Sequence, residues 1–119
     1  MPSVMIVEDD PDTREMLERF LQLEGFDVRT AANGQLALES LQADSALCVI
    51  LLDLMMPVMN GWQFRSAQAS DPKLSRIPVV VVTAAGARDD IPAIEANAWL
   101  AKPVDLDRLL ATIRPLCNP

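Results

Sequence analysis

The chain has 119 residues, half of them hydrophobic, which is enough to bury one core and leaves no room for a second domain. A net charge of −7, with only ten scattered basic residues, argues against a direct nucleic-acid surface, because phosphate contacts need clustered Lys and Arg. Acids arrive at Glu8 before any signal-like apolar region, and no run approaches the roughly 20 residues of a spanning helix. Two cysteines are too few for a disulfide framework, and Cys48 lies in the most apolar run, so a small buried thiol and a soluble, reducing, cytoplasmic setting are expected.

Short β-rich runs alternate with helical patterns along the chain. Val4 to Val7 reads as the first strand. Asp10-Pro11 then gives an N-cap followed by proline at the first helical position, and the helix carries Met16, Leu17, Phe20, Leu21 and Glu24 before Gly25 stops it. Phe26 to Thr30 is predicted as a strand. Asn33-Gly34 opens a second helix, whose Leu36, Ala37 and Leu41 give an inward face and which ends near Asp44.

Leu47 to Leu52 is the expected central strand. A helix from about Asn60 to Ser70 follows and is terminated by Asp71-Pro72. Pro78 precedes the strand Val79 to Thr83, whose four consecutive valines suit a sheet covered on both sides. A short helix, Ile91 to Ala96, leads to the strand Trp99 to Ala101. Asp105 caps the last helix, in which Leu106, Leu109, Leu110, Ile113 and Leu116 form one stripe. Five βα units of this kind imply a parallel sheet with right-handed crossovers and helices on both faces.

Polar residues stand where the apolar runs stop. Glu8 and Asp9 end the first, Asp53 another, Thr83 and Lys102 two more. In a parallel α/β sheet all five meet at the carboxyl edge, where such sheets bind ligands. Two unit charges about 4 Å apart repel by roughly 4 kcal/mol at an effective dielectric near 20, so three carboxylates there call for a cation. Lys102 supplies one charge, and Mg²⁺, which takes oxygen ligands and pairs with phosphate, supplies the rest. Asp53 is the candidate nucleophile, a carboxylate able to take a phosphoryl group as a mixed anhydride, with Thr83 and Lys102 set to bind the phosphoryl oxygens.

The segments Val7-Glu8-Asp9-Asp10, Leu51-Leu52-Asp53-Leu54-Met55-Met56-Pro57 with Asn60-Gly61, Val81-Val82-Thr83-Ala84 and Lys102-Pro103 occur in one order across the whole chain. Together they resemble the receiver domain of two-component response regulators. The resemblance implies a flavodoxin-like (βα)5 three-layer sandwich with a five-stranded parallel sheet in the order 2-1-3-4-5. It also implies phosphorylation at Asp53, Mg²⁺ held by Glu8 (through a water), Asp9, Asp53 and the Met55 carbonyl, and a Lys102-Pro103 bond that is cis. Thr83 and Trp99 are then the switch pair, with Trp99 where a tyrosine or phenylalanine is usual. The implied donor is a phosphohistidine on a sensor histidine kinase or histidine phosphotransfer protein, and the output is contact with a downstream protein, with no direct nucleic acid and no membrane.

Under this reading the chain is no enzyme beyond its own phosphorylation and dephosphorylation, and residues 1–119 are one stand-alone receiver domain. Met55 and Ala85 flank the approach of a hydrolytic water and cannot activate it, so a persistent phosphoryl group is expected. Two other readings compete. An aspartyl-nucleophile phosphohydrolase would carry a second acid two residues after Asp53, where Met55 stands. An unphosphorylated receiver-like interaction domain would not need the complete set of pocket residues. Asp10 is explained by its cap, and Met55, Met56 and Met59 by packing, since thioethers favour soft metals.

Overall fold

Strands with no polar face have to lie between layers, and the middle of this sheet is built from them. The computed structural model describes residues 2–83 and 96–117. In it β1 (Ser3–Val7), β2 (Asp27–Ala31), β3 (Val49–Leu52), β4 (Val79–Thr83) and β5 (Ala98–Ala101) form one parallel sheet in the order β2-β1-β3-β4-β5. Every residue of β3 and β4 is buried. The two edge strands, β2 and β5, instead carry exposed and half-buried positions, as strands covered less completely must.

Alternation along each strand divides the core in two. Met5, Val7, Ile50, Leu52, Val79 and Val81 point to one face, where they meet Ala37 and Leu41 of α2 (Gly34–Ala43) and Phe64 of α3 (Gly61–Ala69). Val4, Ile6, Val49, Leu51, Val80 and Val82 point to the other, against Leu17 and Leu21 of α1 (Pro11–Leu23) and Leu109 and Ile113 of α4 (Leu106–Cys117). This is the expected three-layer sandwich in the expected strand order.

The helix signals act as their chemistry requires. The Asp10 carboxylate accepts from the Thr13 N–H, the Asn33 side chain from the Leu36 N–H, and Asn60 and Gln63 form a reciprocal capping box. Gly25, at φ 95°, takes the left-handed conformation that ends α1. The predicted helix Ile91 to Ala96 lies outside the described residues except for Ala96, which is not helical, and Ala85 lies outside them too.

Several expectations need correction. Phe26 lies just past α1 and closes it with an N–H that donates to the Leu21 carbonyl, and the second strand starts one residue later. Leu36 is exposed, because Gly34, Ala37 and Leu41 already fill the inward face of α2. Pairing of the central strand begins at Val4 with Val49, so Leu47 and Cys48 precede it. The largest correction concerns the cysteines. Cys48 is no free thiol; it is bonded to Cys117, 69 residues away, and both cysteines are consumed. Nothing local in sequence signals this pairing, which exists only because the last turn of α4 lands beside the start of β3.

Candidate functional site

The sheet register carries the polar residues to one place. Val7 pairs with Leu52, and one step further the Asp53 N–H donates to the Val7 carbonyl at 3.0 Å while the Glu8 N–H donates to the Ala31 carbonyl at 3.0 Å. The ladders β1·β2 and β1·β3 thus run one residue past the strands and set Glu8 beside Asp53. On the other side Thr83 pairs with Ala101, and the Lys102 N–H donates to the Thr83 carbonyl at 3.0 Å. The Lys102-Pro103 peptide is cis.

Glu8, Asp53 and Thr83 are buried, while Asp9 and Asp10 are exposed. One carboxylate oxygen from each of Glu8, Asp9 and Asp53 lies within 4.8 Å of the others. The Lys102 ammonium is ion-paired to Glu8 and stands 3.6 Å from an Asp53 oxygen. The Met55 N–H donates to Asp53 Oδ1 at 3.3 Å, and the Asp10 N–H to Glu8 Oε2 at 3.3 Å. Burial first, and then the hydrogen bond and charge of Glu8, push the Asp53 carboxyl up to about 7, with Lys102 offsetting only part of this. Burial works to lower the Lys102 ammonium, but Glu8 and Asp53 outweigh it and hold the lysine above its ordinary range. The hydrogen bond from the Thr13 hydroxyl, chiefly, lowers Asp10, as suits a cap.

Among the described residues, one lysine is set against three clustered acids, all of them hard oxygen donors. That donor set fits Mg²⁺, with Glu8, Asp9 and Asp53 as the residues that would hold it and Met55 next to them in sequence. Bound there, the ion would neutralise charge on a phosphoryl group.

The loop after Asp53 is held from two sides. The Gly61 N–H donates to the Leu54 carbonyl at 3.0 Å, and a Cβ at Gly61 would lie 2.7 Å from the Asp53 carbonyl oxygen. The Gly34 N–H donates to the Met59 carbonyl at 3.0 Å, tying α2 to the same loop. Between them Val58, with φ 68°, occupies the left-handed region that a β-branched residue rarely adopts. Met55 and Val58 are exposed, whereas Met56 is buried. Trp99 is half-buried on β5 and packs against the core cluster that contains Phe64 and Val81.

All the sequence-predicted site residues therefore stand at or next to one edge, except Trp99, which sits back within β5. Sequence reasoning missed Arg14, whose guanidinium donates to the Glu8 carbonyl at 2.8 Å and braces the turn carrying the acids. Six residues of separation across a strand–helix turn left no pattern to find. It also missed what Gly61 does: the Asn60-Gly61 pair was legible as a motif, but the close approach to Asp53 that excludes a side chain was not.

Comparison with known proteins agrees with this geometry. Residues 4–114 match the response regulator receiver domain family. The DNA-binding dual master transcriptional regulator RpaA of a Synechocystis species is 34% identical over 98% of this chain and 49% of its own length. The transcriptional regulatory protein CpxR homolog of Haemophilus influenzae is 38% identical over 98% of this chain and 50% of its own. The chain thus spans about half the length of these curated relatives. Among solved structures, the chemotaxis protein CheY4 of Vibrio cholerae superposes with a TM-score of 0.87 at 32% identity, covering 98% of both chains. A response regulator from Chloroflexus aurantiacus superposes at 0.90 and 28%, covering both chains completely. With the strand order, the acidic edge and these likenesses together, the chain belongs to the response regulator receiver domain family, the phosphoacceptor domains of two-component systems.

Proposed function

We propose that Asp53 is the residue that accepts the phosphoryl group, from a phosphohistidine on a sensor kinase or histidine phosphotransfer protein, and that the modified domain then acts by contact with a downstream protein. The observation that carries the assignment is the position of Asp53: buried, at the end of the central strand, within reach of Glu8, Asp9 and Lys102. Asp9, Asp53 and the Met55 carbonyl, with Glu8 through a water, would hold Mg²⁺, which would supply charge neutralisation at the phosphoryl oxygens. Lys102 leaves Glu8 to pair with one phosphoryl oxygen, and the Thr83 hydroxyl donates to another. Movement of Thr83 toward that oxygen opens space for Trp99, which is larger than the usual aromatic and has its indole N–H to place, so the switched state is reached less fully.

Residues 1–119 act as one receiver domain in the cytoplasm and turn over no substrate but their own phosphoryl group. Among the described residues no helix is long and apolar enough to cross a membrane. The acidic balance is consistent with output through protein contact rather than direct nucleic-acid binding.

The test is labelling with acetyl phosphate and Mg²⁺. The wild-type chain is expected to gain one acid-labile phosphoryl group, and Asp53→Asn none, with its circular dichroism unchanged. Undiminished labelling of Asp53→Asn would overturn the assignment.

A further inference from the structure

We infer that Cys48–Cys117 is a thiol–disulfide exchange site that fixes or frees the last turn of α4, independently of the acidic pocket. The bond joins the start of β3 to the end of α4, with Cα atoms 5.0 Å apart. Cys48 is itself fixed to the sheet, its N–H donating to the Ser3 carbonyl at 2.9 Å. Cys117, by contrast, is the last residue of α4. Pro115 lies inside α4, two residues before it, and a proline there removes a helical N–H and crowds the preceding turn. The turn that carries Cys117 is still helical, but the missing Pro115 N–H leaves it one hydrogen bond short, so contacts outside the helix weigh more there. Those contacts are the disulfide, the packing of half-buried Leu116 and Cys117 against the core, and an exposed ion pair from Arg114 to Glu24 at 2.9 Å, of a kind that contributes little.

The rest of α4 does not depend on these contacts. Leu109 and Ile113 are fully buried against β3, β4 and β5. Opening the bond is then a local event confined to the turn after Ile113. It is also remote from the pocket, since the four residues of β3 lie between Cys48 and Asp53, a rise of roughly 16 Å from one to the other. Both cysteines are half-buried, so a small thiol has access.

The exchange balances simply. A thiolate of the reductant attacks one sulfur, the S–S bond breaks and the other cysteine leaves as thiolate; a second reductant thiol then releases the mixed disulfide. The protein gains two electrons and two protons, and two reductant thiols become one disulfide. The reductant is a small thiol or protein dithiol, as a reducing cytoplasm contains; only its supply rests on the location proposed above.

The test uses the whole chain in buffers of reduced and oxidised glutathione, with thiol alkylation and mass measurement to read the bond and hydrogen exchange to read the helix. In reduced glutathione the folded protein is expected to take two alkyl groups, and in oxidised glutathione none. On reduction the amides of Arg114, Leu116 and Cys117 are expected to exchange about tenfold faster, while those of β1, β3 and β4 stay unchanged. Cys117→Ser should reproduce the fast exchange in either buffer. Acetyl phosphate labelling should proceed equally in both redox forms, and because it is scored separately, loss of labelling in both would count against the Asp53 assignment and not against this site. The inference is overturned if the bond opens only in denaturant, if it never forms in oxidised glutathione, if it opens with no change in the last turn, or if its opening loosens the whole sheet. The first and last of these outcomes would make it a fixed structural cross-link.

Discussion

The two ends of β3 are built on opposite principles. At the amino end, Cys48 is joined covalently to α4, and its N–H donates to the Ser3 carbonyl. At the carboxyl end, the fold buries Asp53 beside Glu8, brings Asp9 to the rim and, among the described residues, answers these three acids with one lysine. The contrast locates function: a cross-link stands where the strand begins, and an excess of acid is kept where it ends, so that a cation and a phosphoryl group have something to resolve.

The sharpest way to break this comparison is to remove an acid from the carboxyl end. Asp9→Ala is expected to abolish both Mg²⁺ binding, followed by calorimetry, and phosphorylation by acetyl phosphate. Asp10→Ala, one residue on, should leave both intact. Equal losses in the two variants would place the metal ligands one residue out of register.

Next in size is the loop that holds Asp53. Gly61→Ala puts a Cβ 2.7 Å from the Asp53 carbonyl oxygen and from Leu54 Cα, both backbone atoms that cannot rotate away. A cost of about 2–4 kcal/mol in urea unfolding is expected, with slower phosphorylation of whatever remains folded. A neutral result would mean that the loop shifts freely.

The charge conflict also fixes a pH dependence. The Asp53 carboxyl, at about 7 in the metal-free fold, is raised above its ordinary value of 3.8. A raised acid favours the folded state most fully below its unfolded value, and that contribution is lost as pH rises through the folded one. Metal-free stability should therefore decline between about pH 4 and 7 on account of this group, and Asp53→Asn should flatten the decline. Mg²⁺ must displace the same proton, so its affinity should fall by up to about tenfold per pH unit below 7. Parallel stability curves for wild type and Asp53→Asn would contradict this.

The smallest expected effects are local. Val58→Gly relieves a left-handed β-branched residue and should stabilise the fold by roughly 1 kcal/mol. Asp10→Ala loses the α1 cap and should cost about 1 kcal/mol. Both are measured by thermal or urea unfolding.

Most of the fold and of the pocket was legible in the sequence because their signals are periodic or chemical. Four valines in a row announced a doubly covered strand, Asp10 announced a cap, Asn33 and Asn60 announced helix starts, and acids at strand ends announced a shared edge. What was not legible depends on distant packing. Phe26 looks like a strand residue until its N–H is seen closing α1. Leu36 looks inward until Gly34, Ala37 and Leu41 are seen to fill that face. Cys48 looks like a buried thiol until α4 brings Cys117 beside it, and Arg14 looks like a solvated helix residue until its reach to the Glu8 carbonyl is known.

The most direct measurement is to map the labelled residue itself. Wild-type protein phosphorylated with acetyl phosphate and Mg²⁺, reduced with borohydride to trap the acyl phosphate and digested, should carry the reduction product at Asp53 and leave Glu8, Asp9 and Asp10 unmodified. Trapping at Asp9 or Asp10, or no trapped residue despite confirmed Mg²⁺ binding, would contradict the claim that the end of β3 is where this domain receives its signal.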